Sequence, residues 1–77
     1  MEPIEKSVLN LICDHFDLAL EKINLDAHFI KDLGVESIDA IEFIIMCEHK
    51  FHLIIPDKEV ELLLTPRNAI NYIERHL

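Results

Sequence analysis

The spacing of apolar residues is the feature that most restricts how this chain folds. Such residues recur every three to four positions in three stretches, and no strand-like alternation persists between them. One Gly and three Pro leave few positions at which a long helix would be interrupted. With 77 residues, of which 51% are hydrophobic, the chain has room for one compact core. We therefore predict a single all-α domain over residues 1–77.

Local signals set the limits of the first two helices. The first helix begins near Pro3, because proline suits the first turn, and ends between His15 and Leu20. The second helix runs from Ser37 to about Phe51. A long loop separates the two, and such loops in compact domains are often functional.

The remainder of the chain contains a short helix and a last helix. Asp57 is a good N-cap for the short helix, and residues 62–64, all leucines, are expected to anchor it inward. Thr65 and Pro66 supply the N-cap and first-turn proline of the last helix. The residues of that helix expected to face the core are Ala69, Ile70, Ile73 and Leu77. The prediction is a small bundle of three main helices plus one short helix.

The chain is strongly acidic, with 15 Asp and Glu against 7 Lys and Arg and a formal net charge of −8. This charge repels nucleic-acid phosphates and anionic membranes, and it favours a partner with a basic surface. No segment approaches the length of a membrane span, and the first residues lack the pattern of a signal peptide. Cys13 and Cys47 match no disulfide framework, so we expect free thiols in a reducing cytoplasm.

The second predicted helix has two apolar faces. Ile38, Ile41 and Ile45 lie nearly opposite the side that is predicted to face the core. Three interpretations are open: the helix is buried on both sides, the isoleucines are scattered surface apolar residues of the common kind, or they form an exposed stripe that docks a partner. Glu42 and Glu48 flank the stripe, and carboxylates around an apolar patch steer a basic partner into register. In so small a domain we favour the docking interpretation. The residues predicted to face the core are Ala40, Phe43, Ile44, Cys47 and Phe51.

Ser37 stands at the start of this helix, shortly after Gly34. On its chemistry alone, the ordinary role of such a serine is to cap the helix. The alternative is an exposed hydroxyl beside free backbone N–H groups, where the helix dipole favours an attached phosphate. The residue type by itself leaves both interpretations open.

The residues around Ser37 form a motif. Residues 32–39 read Asp-Leu-Gly-Val-Glu-Ser-Ile-Asp, which resembles the Asp-Leu-Gly-x-Asp-Ser-Leu-Asp signature of acyl carrier proteins. Phe29 before the motif, Phe51 after it, and the Ile-Pro-Asp sequence at residues 55–57 are also similar to the family pattern. The resemblance therefore covers essentially the whole chain.

The resemblance implies that Ser37 carries 4'-phosphopantetheine from coenzyme A, whose thiol holds an acyl group as a thioester. It implies a non-catalytic carrier in fatty-acid or related acyl biosynthesis. We expect a monomer, although an exposed isoleucine stripe would also allow weak self-association. The implied partners are a phosphopantetheinyl transferase, and acyl-transferring and synthase enzymes with basic docking surfaces. The positions that match the partner-binding surface of the family are Glu36, Ile38, Asp39, Ile41, Glu42, Ile45 and Glu48.

Several residues depart from the family pattern. Glu36 stands where Asp is usual, and Ile38 where Leu is usual. A segment that is typically acidic in carriers of bacterial fatty-acid synthesis is replaced here by His49, Lys50, His52 and Leu53, which favours a specialised carrier. Two alternatives share the fold: an aminoacyl carrier of the D-alanyl or peptidyl type, and an interaction module that is never modified.

One cluster offers side chains of metal-ligand type, namely Cys47, Glu48, His49 and His52. On a helix, Cys47 and His49 point in different directions, so we predict no metal site there or elsewhere. The remaining histidines, which we expect to be solvated polar residues, are His15, His28 and His76.

Overall fold

A computed structural model of the protein describes residues 3–77. Three α-helices follow one another: α1 (Ile4–Phe16), α2 (Ser37–Phe51) and α3 (Pro66–His76). Two short 3₁₀ helices, Leu20–Lys22 and Asp57–Leu63, lie in the connections, and residues 3–77 contain no strand. The predicted all-α fold with three main helices and a short one is confirmed. The extent of the domain over residues 1–77 stays a prediction.

Helix α1 ends at Phe16, within the range predicted from the sequence. Asp17 adopts a left-handed conformation with φ 56°, and the N–H of Leu18 donates a hydrogen bond to the Cys13 carbonyl at 3.1 Å. Such a bond satisfies a carbonyl that the end of the helix would otherwise leave without a partner. Val8 and Ile12, one turn apart on the apolar face, are fully buried.

The helices pack around α1 and the second 3₁₀ helix. Helix α1 contacts both α2 and α3, and the 3₁₀ helix Asp57–Leu63 contacts both of these helices as well. At the centre, the rings of Phe16, Phe29 and Phe43 lie 5.2–5.7 Å apart between centroids, within the range of favourable aromatic pairs. The three rings come from α1, the long loop and α2, so they join three parts of the chain.

The long loop between α1 and α2 is bound to the core. Phe29 is fully buried, and its N–H donates a hydrogen bond to the Leu64 carbonyl at 2.8 Å. His28, which was expected to be a solvated polar residue, is half-buried and also has a role in the loop. Its Nδ1 accepts hydrogen bonds from the N–H groups of Ile30 and Lys31, both at 3.1 Å. The backbone of this loop forms no long helix, so its N–H groups lack helical carbonyl partners. The His28 ring nitrogen serves as their acceptor instead.

Two leucines that were predicted to face inward are exposed: Leu62 by 61% and Leu77 by 62%. The short helix is a 3₁₀ helix, in which residues three apart share a face. Val60 and Leu63 are therefore the ones that face the core, and Leu62 points outward. Leu77 lies beyond the last residue of α3, so no helical turn directs it to the core.

The predicted caps have two different outcomes. Thr65 caps α3, because its hydroxyl oxygen accepts the Asn68 N–H at 3.1 Å, and Pro66 occupies the first turn as predicted. Asp57 is not an N-cap: it is the first residue of its 3₁₀ helix, Pro56 precedes it as the cap residue, and no side chain caps that helix.

Within the described residues, no helix combines the length and the apolar character needed to cross a membrane.

Candidate functional site

A tight loop brings the chain to the start of α2. Gly34 has a φ of +72°, a left-handed conformation that costs glycine little. Before it, the Asp32 carboxylate accepts the His28 N–H at 2.7 Å, and after it, the Val35 N–H donates to the Phe29 carbonyl at 2.9 Å. The loop is thereby held on both sides of the glycine, and the residues that follow are placed against the core.

Ser37 is the first residue of α2 and is exposed. Glu36 occupies the cap position, and its side chain makes no capping hydrogen bond. Within residues 3–77, the Ser37 hydroxyl has no hydrogen-bond partner, so the interpretation of this serine as a simple N-cap is wrong. The first intrahelical bond runs from the Ala40 N–H to the Glu36 carbonyl, which leaves the N–H groups of residues 37–39 available. An exposed hydroxyl beside unpaired N–H groups fits a phosphodiester well.

The isoleucine stripe of α2 lies on the surface. Ile38, Ile41 and Ile45 are exposed by 67%, 48% and 44%, so burial of α2 on both sides is wrong. The opposite face packs into the core as predicted, and its fully or nearly fully buried members are Ala40, Phe43, Ile44 and Cys47. Three aligned and exposed isoleucines on one helix form a continuous apolar contact surface.

The acids around the stripe differ in their surroundings. Glu36, Asp39 and Glu42 are exposed. Glu48 is half-buried, and its carboxylate accepts the Ile55 N–H at 2.8 Å, so it holds the segment after α2 in place. The sequence offered no signal for this contact, because the partner lies seven residues further on, beyond the end of the helix. Of the four acids, three are exposed to solvent and one is half-buried.

His15, which was expected to be a solvated polar residue, also contacts the start of α2. It is half-buried, and its Nε2 donates a hydrogen bond to the Asp39 carbonyl at 3.0 Å. The two residues are 24 positions apart, and only the packing of α1 on α2 brings them together. His76 is exposed as expected, although its ring stacks on Tyr72 with centroids 4.0 Å apart.

The cluster near the end of α2 does not converge on one point. Cys47 is fully buried, whereas His49 and His52 are exposed. Burial, with a smaller contribution from the Glu48 carboxylate, raises the pKa of the Cys47 thiol to about 12. This thiol is therefore a poor nucleophile and a poor metal ligand at neutral pH.

The helical bundle and the exposed serine at the start of α2 are the features of a carrier domain with a covalent prosthetic group. Residues 6–73 match the family model described as a phosphopantetheine attachment site. The acyl carrier proteins of two strains of Porphyromonas gingivalis are 34% identical to this chain over 77 residues, which is all of this chain and 99% of each relative. The chain belongs to the acyl carrier protein family, and its prosthetic group is covalent 4'-phosphopantetheine.

Proposed function

We propose that this protein holds acyl intermediates as thioesters on a 4'-phosphopantetheine arm attached to Ser37, and presents them to enzymes of fatty-acid or related acyl biosynthesis. The observation that carries the proposal is the Ser37 hydroxyl, exposed at the start of α2 without a hydrogen-bond partner among residues 3–77. The family membership of the chain supports the carrier role.

The surroundings of Ser37 suit a phosphodiester. The free N–H groups of residues 37–39 and the positive end of the α2 dipole favour a negative charge at this point. The buried face of α2 and the bonded loop on either side of Gly34 keep the hydroxyl directed outward. When bound, the arm supplies a thiol that holds the acyl group. A tether also raises the effective concentration of this group at each enzyme that the carrier visits.

The surface next to Ser37 suits docking by basic partners. The isoleucine stripe provides apolar area that becomes desolvated on binding, and Glu36, Asp39 and Glu42 provide negative charge around it. We therefore assign this surface to the phosphopantetheinyl transferase and to acyl-transferring and synthase enzymes. Ile38, Ile41 and Ile45 are its apolar members, and Glu48 contributes at its edge.

Catalysis belongs to the partner enzymes in this proposal. Cys47 is buried with a strongly raised pKa, and within residues 3–77 no base is hydrogen-bonded to the Ser37 hydroxyl. The two free cysteines agree with a cytoplasmic location. We further expect the carrier to act as a monomer.

The experiment is incubation of the protein with coenzyme A, Mg²⁺ and a broad-specificity phosphopantetheinyl transferase, followed by intact mass measurement. We expect a gain of one phosphopantetheine group, and peptide mapping should place it on residue 37. Ser7, the other serine of the chain, is buried and should remain unmodified. The Ser37→Ala variant should gain nothing. A folded parent that gains no mass would favour the interaction module instead.

The less acidic end of α2 supports a specialised rather than a housekeeping carrier. His49, Lys50 and His52 are all exposed there, so they alter the charge that a partner meets. We expect this protein to replace only poorly the carrier of fatty-acid synthesis in cells that lack it. Full growth of such cells would contradict the specialised role. Loading tests with acyl and aminoacyl donors would separate an acyl carrier from an aminoacyl carrier.

A further inference from the structure

The end of α2 and the segment after it form a surface that lies beyond the isoleucine stripe. Ile54 is exposed by 90%, more than any other large apolar side chain among residues 3–77. His49 and His52 are also exposed. We call His49, His52 and Ile54 the distal surface. A single exposed apolar residue is common in proteins, so its backbone support and the charges around it decide whether it has a role.

The backbone around Ile54 is firmly held. His52 ends α2 with a φ of 56°, and the Leu53 N–H donates a hydrogen bond to the Glu48 carbonyl at 3.0 Å. The Glu48 carboxylate accepts the Ile55 N–H at 2.8 Å, and the Ile55 side chain is buried. Ile54 therefore lies between two anchored neighbours and points away from the core. A backbone fixed in this way loses little further conformational freedom when a partner binds.

The distal surface continues the isoleucine stripe. His49 follows Ile45 by four residues on α2, so the two side chains share a face of the helix. His52 and Ile54 follow directly after the last residue of the helix. One partner can therefore contact the stripe and the distal surface together.

The charge of the chain changes sign along this side of the molecule. Residues 36–48 contain four acids and neither Lys nor Arg, whereas residues 49–58 contain two histidines, Lys50, Lys58 and a single acid, Asp57. The lysines and both histidines are exposed. Helix α2 has 15 residues and is about 22 Å long, whereas surface charges are largely screened beyond about 8 Å at physiological salt. The residues at the end of α2 therefore set the charge that a partner meets there, despite the net charge of −8 on the whole chain.

We propose that the distal surface selects protein partners that carry carboxylates around an apolar recess opposite the end of α2, in addition to basic groups opposite its start. This inference rests on the proposed function and names the chemistry of its partners. Ile54 fills the recess, and His49 and His52 donate hydrogen bonds to the carboxylates, which imidazole does in its neutral as well as its charged form. Lys50 adds a permanent positive charge. A partner that is basic throughout loses these contacts and meets like charge at Lys50.

The selection is tested with a broad-specificity phosphopantetheinyl transferase, whose KM for the full-length carrier is measured at about 0.15 M salt. Each Lys and Arg on the carrier-binding face of the enzyme is replaced in turn by Glu. We expect at least one replacement to lower the KM for the parent carrier severalfold, and to raise it for the double variant His49→Glu/His52→Glu. Lys6→Glu, at an exposed position on α1, changes the net charge as much as the double variant with neutral histidines does, and it should behave as the parent.

Ile54 is tested with the enzyme variant that this scan selects. Ile54→Gln should raise its KM for the carrier severalfold. Leu62→Gln alters another exposed apolar residue, on the 3₁₀ helix Asp57–Leu63, and should leave the KM close to that of the parent. Both side chains lie outside the core, so both variants should fold, which circular dichroism checks.

Parallel changes of KM for the parent and the double variant, with every enzyme replacement, would overturn the proposal. Equal effects of Ile54→Gln and Leu62→Gln would do the same. In both cases the parent still gains its prosthetic group, so the proposed function stands. A parent that no transferase variant modifies would reject the proposed function, and this inference with it.

Separate measurements test two other occupants of the distal surface, an anionic membrane and a second copy of the chain. We expect the parent not to float with phosphatidylglycerol vesicles, and to sediment as a monomer. Vesicle binding or self-association that is lost in Ile54→Gln would assign the distal surface to that occupant and overturn the proposal.

Discussion

At the scale of single residues, Gly34 has a conformation that other residues adopt only at a cost. A Cβ built on Gly34 meets no atom within 4 Å, so the cost of a substitution comes from the backbone alone. We expect Gly34→Ala to lower the free energy of unfolding by about 1 kcal/mol, measured by urea denaturation. Gly34→Asn should lose less, because Asn tolerates positive φ better than Ala. Equal stability of the parent and the Ala variant would show that the loop relaxes to another conformation.

Cys47 gives a second prediction at this scale. With a pKa of about 12, on the order of one Cys47 thiol in ten thousand is ionised at pH 8. The folded protein should therefore react with iodoacetamide at the half-buried Cys13 well before Cys47. Mass spectrometry of digested samples measures the two rates, and both thiols should react at similar rates in urea. Rapid labelling of Cys47 in the folded state would mean that the core opens readily.

At the scale of elements, the helix termini are stabilised by different interactions. Helix α3 has a side-chain cap, whereas α1 and α2 end with the non-glycine residues Asp17 and His52 in the left-handed conformation. Such residues cost more than glycine there, although Asp and His adopt this conformation more readily than most. The sequence pattern located the helix ends well, but it did not reveal which residue would adopt this conformation.

The cap of α3 leads to a prediction about stability. In Thr65→Ala the Asn68 N–H loses its acceptor, and we expect the free energy of unfolding to fall by about 1 kcal/mol. Thr65→Ser keeps the hydroxyl oxygen and should be close to the parent. Urea denaturation of all three proteins provides the comparison. A similar loss in both variants would point to the methyl group of Thr65, rather than its hydroxyl, as the source of stability.

At the scale of the whole molecule, the long loop is joined to α3 by Asp26 and Arg67. Arg67 Nε lies 2.7 Å from Asp26 Oδ1, and the Arg67 N–H donates to the Leu25 carbonyl at 2.9 Å. The hydrogen bond from Arg67, more than its charge, lowers the pKa of the Asp26 carboxyl. Both side chains are largely exposed, so solvent screens the pair.

The ion pair predicts a dependence of stability on pH. A carboxyl with a lowered pKa in the folded state stabilises the protein above its unfolded pKa of about 3.9, and this contribution is lost as pH falls through the folded value. The stability difference between the parent and Asp26→Asn should therefore shrink between pH 5 and pH 3, measured by urea denaturation. Asp14→Asn, which changes an exposed acid on α1, serves as the control. A difference independent of pH would indicate that the ion pair contributes nothing.

The sequence by itself determined those features that depend on neighbours a few positions away. The two faces of α2, the cap at Thr65 and the turn at Gly34 follow from periods and preferences that act within one or two turns. The motif around Ser37 was equally local, which is why the family was recognisable before the fold was known.

The tertiary structure alone decided the contacts between distant residues. The 3₁₀ geometry that exposes Leu62, the bond of His15 to residue 39 and the ion pair of Asp26 with Arg67 all depend on how elements pack. The last two join residues 24 and 41 positions apart. Such pairs leave no periodic trace in a single sequence, because their distance is set by the path of the folded chain rather than by the spacing along it.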